Sequence, residues 1–264
     1  METAEGRVTG ESMRVAIVST PRTCSSYLGD IFAKKFDLID YSEMFSTNWL
    51  NTSLQMKLKI VNRSDNYTMK ITSTSLTTDD SLFTTYTFPW QKFDYIILAE
   101  RLDIAQQVSS WMLLSHAQLN GKGDQDSLVK YLREGMENPD EFPVDLIQME
   151  HIIKTINHFH NEVKPYLLNS GLKSVKLVNH EMFQKPREEY IEELREKTDI
   201  YWRLNDLHND SNPTYVDYTP YIEAKNIRQL IDDIQFKLNN PNATKEENNE
   251  PIATEHPFEN EGSV

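Results

Sequence analysis

Three short apolar runs, each closed by polar residues, dictate most of what this chain can become. They are residues 13–19 (MRVAIVS), 93–99 (FDYIILA) and 174–179 (SVKLVN). Each is rich in β-branched side chains and apolar at consecutive positions, as strands covered on both faces are. Between them, apolar residues recur at helical spacing. Leu28, Ile31 and Phe32 do so within 27–36, and Ile104, Val108, Trp111, Met112 and Leu119 within about 103–119. A long helix is predicted over about 145–168, from Leu146, Met149, Ile153, Ile156, Val163 and Leu167. A last helix is predicted from about Pro220 to Leu238, with Ile227, Leu230, Ile231 and Ile234 inward. Strands alternating with helices predict an α/β, three-layer fold with a mainly parallel central sheet. No internal repeat or Pro/Gly/Ser linker divides residues 13–238, so one domain is expected there.

The remainder is less regular. Residues 48–87 are polar and rich in Ser and Thr, and only Tyr67 to Thr72 reads as a strand. That strand belongs either beside the first one or in an insertion. Asn-x-Ser/Thr triplets at Asn51 and Asn66 imply nothing without a secretory signal. Residues 239–264 carry six Glu and one Lys among Asn and Pro, and they are expected to be disordered, as are residues 1–12.

Charge and cysteine usage narrow the function classes. The chain has 27 Lys and Arg against 41 Asp and Glu, a formal charge of −14. That surface disfavours nucleic acid and anionic membranes, both of which need clustered cations. An anionic ligand must therefore be held by a local pocket. No run approaches the roughly 18–20 apolar residues of a membrane span, and the start of the chain has no apolar leader. A single cysteine excludes a disulfide framework within the chain and a thiolate zinc site. A cytoplasmic protein with no resident metal is expected.

Two segments carry chemistry. The first, Pro21-Arg22-Thr23-Cys24-Ser25-Ser26-Tyr27, lies between a predicted strand and a predicted helix. Such a turn presents unpaired amides and the positive end of a helix dipole, a P-loop-like strand–loop–helix suited to phosphate or sulfate. Arg22 adds a fork of donors, and Ser25 and Ser26 add hydroxyls. The Gly-Lys-[Ser/Thr] of a nucleotide-kinase loop is absent. The second segment is Arg101 at the carboxyl end of the 93–99 strand, with Ser109 eight residues on and Ser110 beside it. Ligands of open α/β sheets bind at that edge. Either segment alone is equally compatible with an ordinary capped helix and a surface arginine.

Taken together, in this order and spacing, they resemble the sulfotransferase family, in particular its bacterial and phage members. That family has a Pro-Arg-[Ser/Thr]-Gly-[Ser/Thr]-[Ser/Thr] loop after its first strand, and an arginine followed eight residues later by a serine. Val175 to Phe183 is similar to its late strand and turn. The resemblance covers roughly residues 13–200. It departs at Cys24, where the family has glycine, and at the acceptor side, where 54–90 offers no alignable motif. The Arg-Lys-Gly segment of the animal cytosolic enzymes is also absent.

The resemblance implies a sulfuryl donor, 3′-phosphoadenosine 5′-phosphosulfate (PAPS), and a hydroxyl on a small-molecule or carbohydrate acceptor. Arg22, Thr23, Cys24, Ser25, Ser26 and Tyr27 would hold the phosphosulfate, and Arg101 with Ser109 the 3′-phosphate. Arg22 would also act in catalysis. Glu43, in Tyr41-Ser42-Glu43-Met44-Phe45, is the expected base, with Asp40, His116 and His180 as substitutes. Lys70 is a candidate to supply charge to the leaving oxygen. Trp49 and Trp90 are candidates to stack on an acceptor. The rival readings are a non-catalytic nucleotide-binding or scaffold descendant of the same fold, and a P-loop-type kinase.

Overall fold

The computed structural model describes residues 12–44, 54–63, 65–76, 83–122, 125–172, 174–207 and 216–241. The expectations for residues 1–11, for the tail beyond 241, for Trp49 and for the Asn51 triplet fall outside them. The sheet contains β1 (Met13–Ser19), β2 (Ile39–Asp40), β3 (Asn66–Thr72), β4 (Tyr95–Glu100) and β5 (Val175–Asn179). All its pairings are parallel, in the order β2-β3-β1-β4-β5.

Alternation along β1 builds two of the three cores. Val15 and Ile17 face α1 (Ser25–Phe36) and α7 (Arg187–Thr198), packing with Leu28, Phe32, Tyr190 and Leu194. Ala16 and Val18 face the other way, towards Val61 of α2 (Leu54–Arg63) and Phe159, Val163 and Leu167. All four β1 side chains are fully buried, which is why the run is apolar without interruption. A third core joins α3 (Ile104–Leu119), α4 (Gln125–Glu137), α5 (Leu146–His158), α8 (Thr219–Ala224) and α9 (Ile227–Asn239).

Register aligns the carboxyl ends of the strands. Ser19 of β1 pairs with Thr72 of β3 and with Ala99 of β4, and Glu100 pairs with Asn179 of β5. The chain leaves β1 towards β3 on one side and resumes at β4 on the other, so β1 and β4 flank a topological switch point. Residues after β1, β4 and β5 therefore emerge side by side.

The structure resolves and adjusts several expectations. Tyr67–Thr72 lies beside β1 within β3, not in an insertion. The long helix is continuous but holds a π turn, Phe159–Val163, between α5 and α6 (Lys164–Asn169). Pro165 has no N–H to give to the preceding turn, and the π turn sits directly before it. The last helix is broken at Lys225 and Asn226, where Asn226 takes a left-handed φ of 50°. No described helix is long and apolar enough to cross a membrane.

Candidate functional site

The loop after β1 is held from behind. Gln107 of α3 donates through Nε2 to the Thr20 hydroxyl and to the Pro21 carbonyl at 2.7 Å, and the Thr23 hydroxyl donates to the Thr20 carbonyl at 2.9 Å. Within it, Arg22 and Cys24 adopt φ values of 67° and 59°. Those left-handed conformations favour glycine, yet neither position holds one. Cys24 is the N-cap residue of α1 but gives no side-chain cap, and the first turn has no acidic residue. The amides that open α1 therefore receive no cap from the Cys24 side chain, at the positive end of a twelve-residue helix dipole.

Arg22, Ser25, Ser26, Tyr27, Glu43, Lys70, Arg101, Ser110, His180 and Tyr218 all line one cavity of about 470 Å3. That volume lies within the roughly 300–1,000 Å3 of small-molecule sites. Arg22 Nε donates to the Ser110 hydroxyl at 2.8 Å, and Ser110 in turn donates to Tyr218 Oη at 3.1 Å. Arg101 is buried at the foot of β4, with Nη2 3.5 Å from Gln106 Oε1. Gln106 also fastens the segment that leads into α8: it donates to Asp217 at 3.0 Å and accepts from the Tyr218 amide at 3.0 Å. Leu114, Leu128, Leu132 and Val216 form an apolar wall beside these polar groups.

On the opposite side a smaller chamber of about 220 Å3 opens between Ser26, Gly29, Asp40, Ser42, Glu43 and Lys70. Pairing places its members: the Tyr41 amide donates to the Thr68 carbonyl, and the Lys70 amide to the Ser42 carbonyl. Lys70 Nζ is ion-paired with Glu43 and donates to Ser26 Oγ at 3.4 Å. Asp40 instead accepts from the Ser42 amide at 2.7 Å and from its hydroxyl at 3.2 Å.

Cys24 and His180 meet across the floor of the larger cavity, with Sγ 2.9 Å from Nδ1. Burial pushes the Cys24 thiol up to about 12, against the pull of Arg101 and Arg22. Burial, and then the same two arginines, push His180 down to about 3. Both partners are neutral at pH 7, so the contact is thiol to Nδ1 in one imidazole tautomer and Nδ1–H to sulfur in the other. His180 Nε2 is buried and has no hydrogen-bond partner among the described residues.

The remaining expectations sort by position. Ser109 is fully buried, does not line the cavity, and its hydroxyl has no partner among the described residues. Its neighbours at helical spacing, Ala105, Met112 and Leu113, belong to the third core, whereas Ser110 faces the arginines. Tyr27 lines the cavity, but its hydroxyl is bonded to Tyr190 at 2.8 Å. Trp90 is a core residue, with Nε1 donating to the Thr85 carbonyl. His116 bonds Tyr131 and is not among the residues lining the cavity. Gln106, Gln107 and Tyr218 were not singled out by sequence. No local signal marks them, because their importance comes from contacts made by distant segments. Among the described residues no group of three or more His, Cys, Asp or Glu is placed to hold a metal ion.

Compared with models of known protein families and with curated protein sequences, the chain matches none.

Proposed function

We propose that this protein is a PAPS-dependent sulfotransferase, acting in the cytoplasm on a hydroxyl of a small polar or carbohydrate acceptor. One observation carries the reading: Arg22 with the opening amides of α1, Arg101 from the next strand, and the Glu43–Lys70 pair line the same cavity. The residues present suit the donor. Two arginines, serine hydroxyls and uncapped amides match its anionic groups, and the apolar wall with Tyr218 suits a nucleoside. His180 Nε2 is buried and unbonded among the described residues, and in the tautomer that carries its hydrogen there it adds a donor that an anion would satisfy.

When bound, the donor supplies an activated sulfuryl group, whose S–O bond to phosphate breaks with its electron pair passing to the phosphate oxygen. The protein's own part is to bind, orient and move one proton. Glu43 takes the proton from the acceptor hydroxyl as that oxygen bonds to sulfur, a role worth about 10²–10⁴ in rate. Arg22, Lys70 and the amides that open α1 balance the charge growing on the leaving phosphate. The 220 Å3 chamber beside Glu43 receives the acceptor; its described lining of Ser25, Ser26, Asp40, Ser42, Glu43 and Lys70 favours a small hydroxylated molecule over a flat aromatic one.

The 3′-phosphate tests the reading. Calorimetric titration should give 3′-phosphoadenosine 5′-phosphate (PAP) at least about a tenfold advantage over AMP, which needs only about 1.4 kcal/mol. Arg101→Ala should erase most of that advantage and leave AMP binding little changed. Equal affinities in the wild type would defeat the proposal. Turnover against an acceptor panel separates an enzyme from a binding descendant.

A further inference from the structure

Lys70 stands between the two halves of the site. Its position in β3 is fixed by pairing with Ile17 of β1 and by the bond of its amide to the Ser42 carbonyl. From there the ammonium reaches both Glu43 and the hydroxyl of Ser26, in the first turn of α1. The Lys70 side chain is only 12% exposed and that of Glu43 33%, so water screens this pairing less than it would on an open surface. Lys70, Glu43, Ser26 and Ser25 are also the residues at which the larger cavity and the acceptor-side chamber meet.

An ammonium has three donors but a single charge. A sulfuryl oxyanion seated beside Ser26 and the Glu43 carboxylate must therefore compete for it. The carboxylate lone pair that holds the ammonium is not at the same time available to the acceptor's proton. We infer that Lys70 couples donor binding to activation of the base. As the sulfuryl oxygens take up the ammonium, Glu43 gives it up and becomes free to accept the acceptor's proton. This rests on the donor reading above. It assigns the reaction an order, donor before proton transfer, and it makes the base itself an antagonist of donor binding.

That antagonism can be measured without knowing the acceptor. PAPS and PAP are titrated calorimetrically into wild type, Glu43→Gln, Lys70→Met, the double variant and Asp40→Asn. Asp40 shares the chamber but bonds Ser42, so its neutralisation reports the general effect of removing a negative charge. Glu43→Gln should tighten PAPS at least about threefold, with a smaller change for PAP. Lys70→Met should weaken PAPS at least about fivefold, and adding Glu43→Gln to it should change nothing further, as coupled residues behave. Lys70→Gln serves as a second variant if melting shows that the methionine does not fold.

A Glu43→Gln gain no larger than that of Asp40→Asn, or one that persists without Lys70, would overturn the coupling. If the wild type prefers PAP to AMP yet Glu43→Gln is silent, this inference alone fails. If the wild type does not bind PAPS, the donor reading fails and this one with it.

Discussion

His180 is buried against Cys24, 156 positions away in sequence, and close to Arg101 and Arg22, and that burial has a measurable price in acid. The unfolded chain protonates this imidazole near 6.5, whereas in the folded protein burial and the two arginines hold it near 3. Between those values the unfolded state binds more protons, so stability rises with pH across the window and is lost as pH falls through it. Each pH unit inside the window is worth at most about 1.4 kcal/mol. Between pH 7 and pH 5 the wild type should therefore lose about 1–2 kcal/mol more than His180→Gln, measured by urea unfolding at both pH values. Identical losses in both proteins would mean that His180 is not held neutral. The sequence pointed to the loop and to the oddity of cysteine at a glycine position. It could not supply the partner, because His180 directly follows β5 and meets Cys24 only through the register that brings β5 beside β4.

At the scale of elements, the central strands β1 and β4 were the most legible part, since burial on both faces leaves an uninterrupted apolar signature, whereas the edge strand β5 is mostly half-buried. Helices α4 and α7 were not read: α4 carries Gly135 and many charges, and α7 has five Glu against few apolar side chains. β2 is two residues long and exposed, and it leaves no pattern at all. The π turn was equally invisible, yet it performs a specific task. Glu100 and Arg101 follow one another at the end of β4, and Glu100 is buried where Lys164 Nζ reaches its carboxylate at 2.5 Å, with His160 Nδ1 at 3.7 Å. Both partners come from the π turn and the start of α6, so this pair ties that helix to the strand end that delivers Arg101. Removing one member of a buried pair strands the other charge, which costs about 3–5 kcal/mol when both are fully buried. Lys164 is partly exposed, so Lys164→Met should cost less, about 2–3 kcal/mol, in chemical denaturation. Adding Glu100→Gln should restore most of it, because no buried charge then remains unpaired. A Lys164→Met protein as stable as wild type would show that the pair does not hold the strand end.

At the scale of the whole molecule, the cavity is assembled from chain segments that run from Pro21 to Tyr218 and share no local sequence signal. Segments around 21–27, 43, 70, 101–114, 128–132, 180 and 216–218 each add a wall, and they belong to both sheet faces and to the third core. A ligand seated there should behave as a staple between elements rather than as a local brace. Two measurements follow from that geometry. PAP at about 100 times its dissociation constant should add about 2.7 kcal/mol of stability, for a domain of this size a rise of about 5–11 °C in melting temperature. Amide exchange should slow at the same time in three places distant in sequence: the 20–27 turn, the start of α3, and residues 216–219, which Gln106 fastens to α3. Ordering the last of these requires the ligand to be felt at Ser110 and Tyr218, where the apolar wall meets Arg22. Protection confined to the 20–27 turn would mean that the anion loop binds alone and that the remaining walls do not belong to the same site.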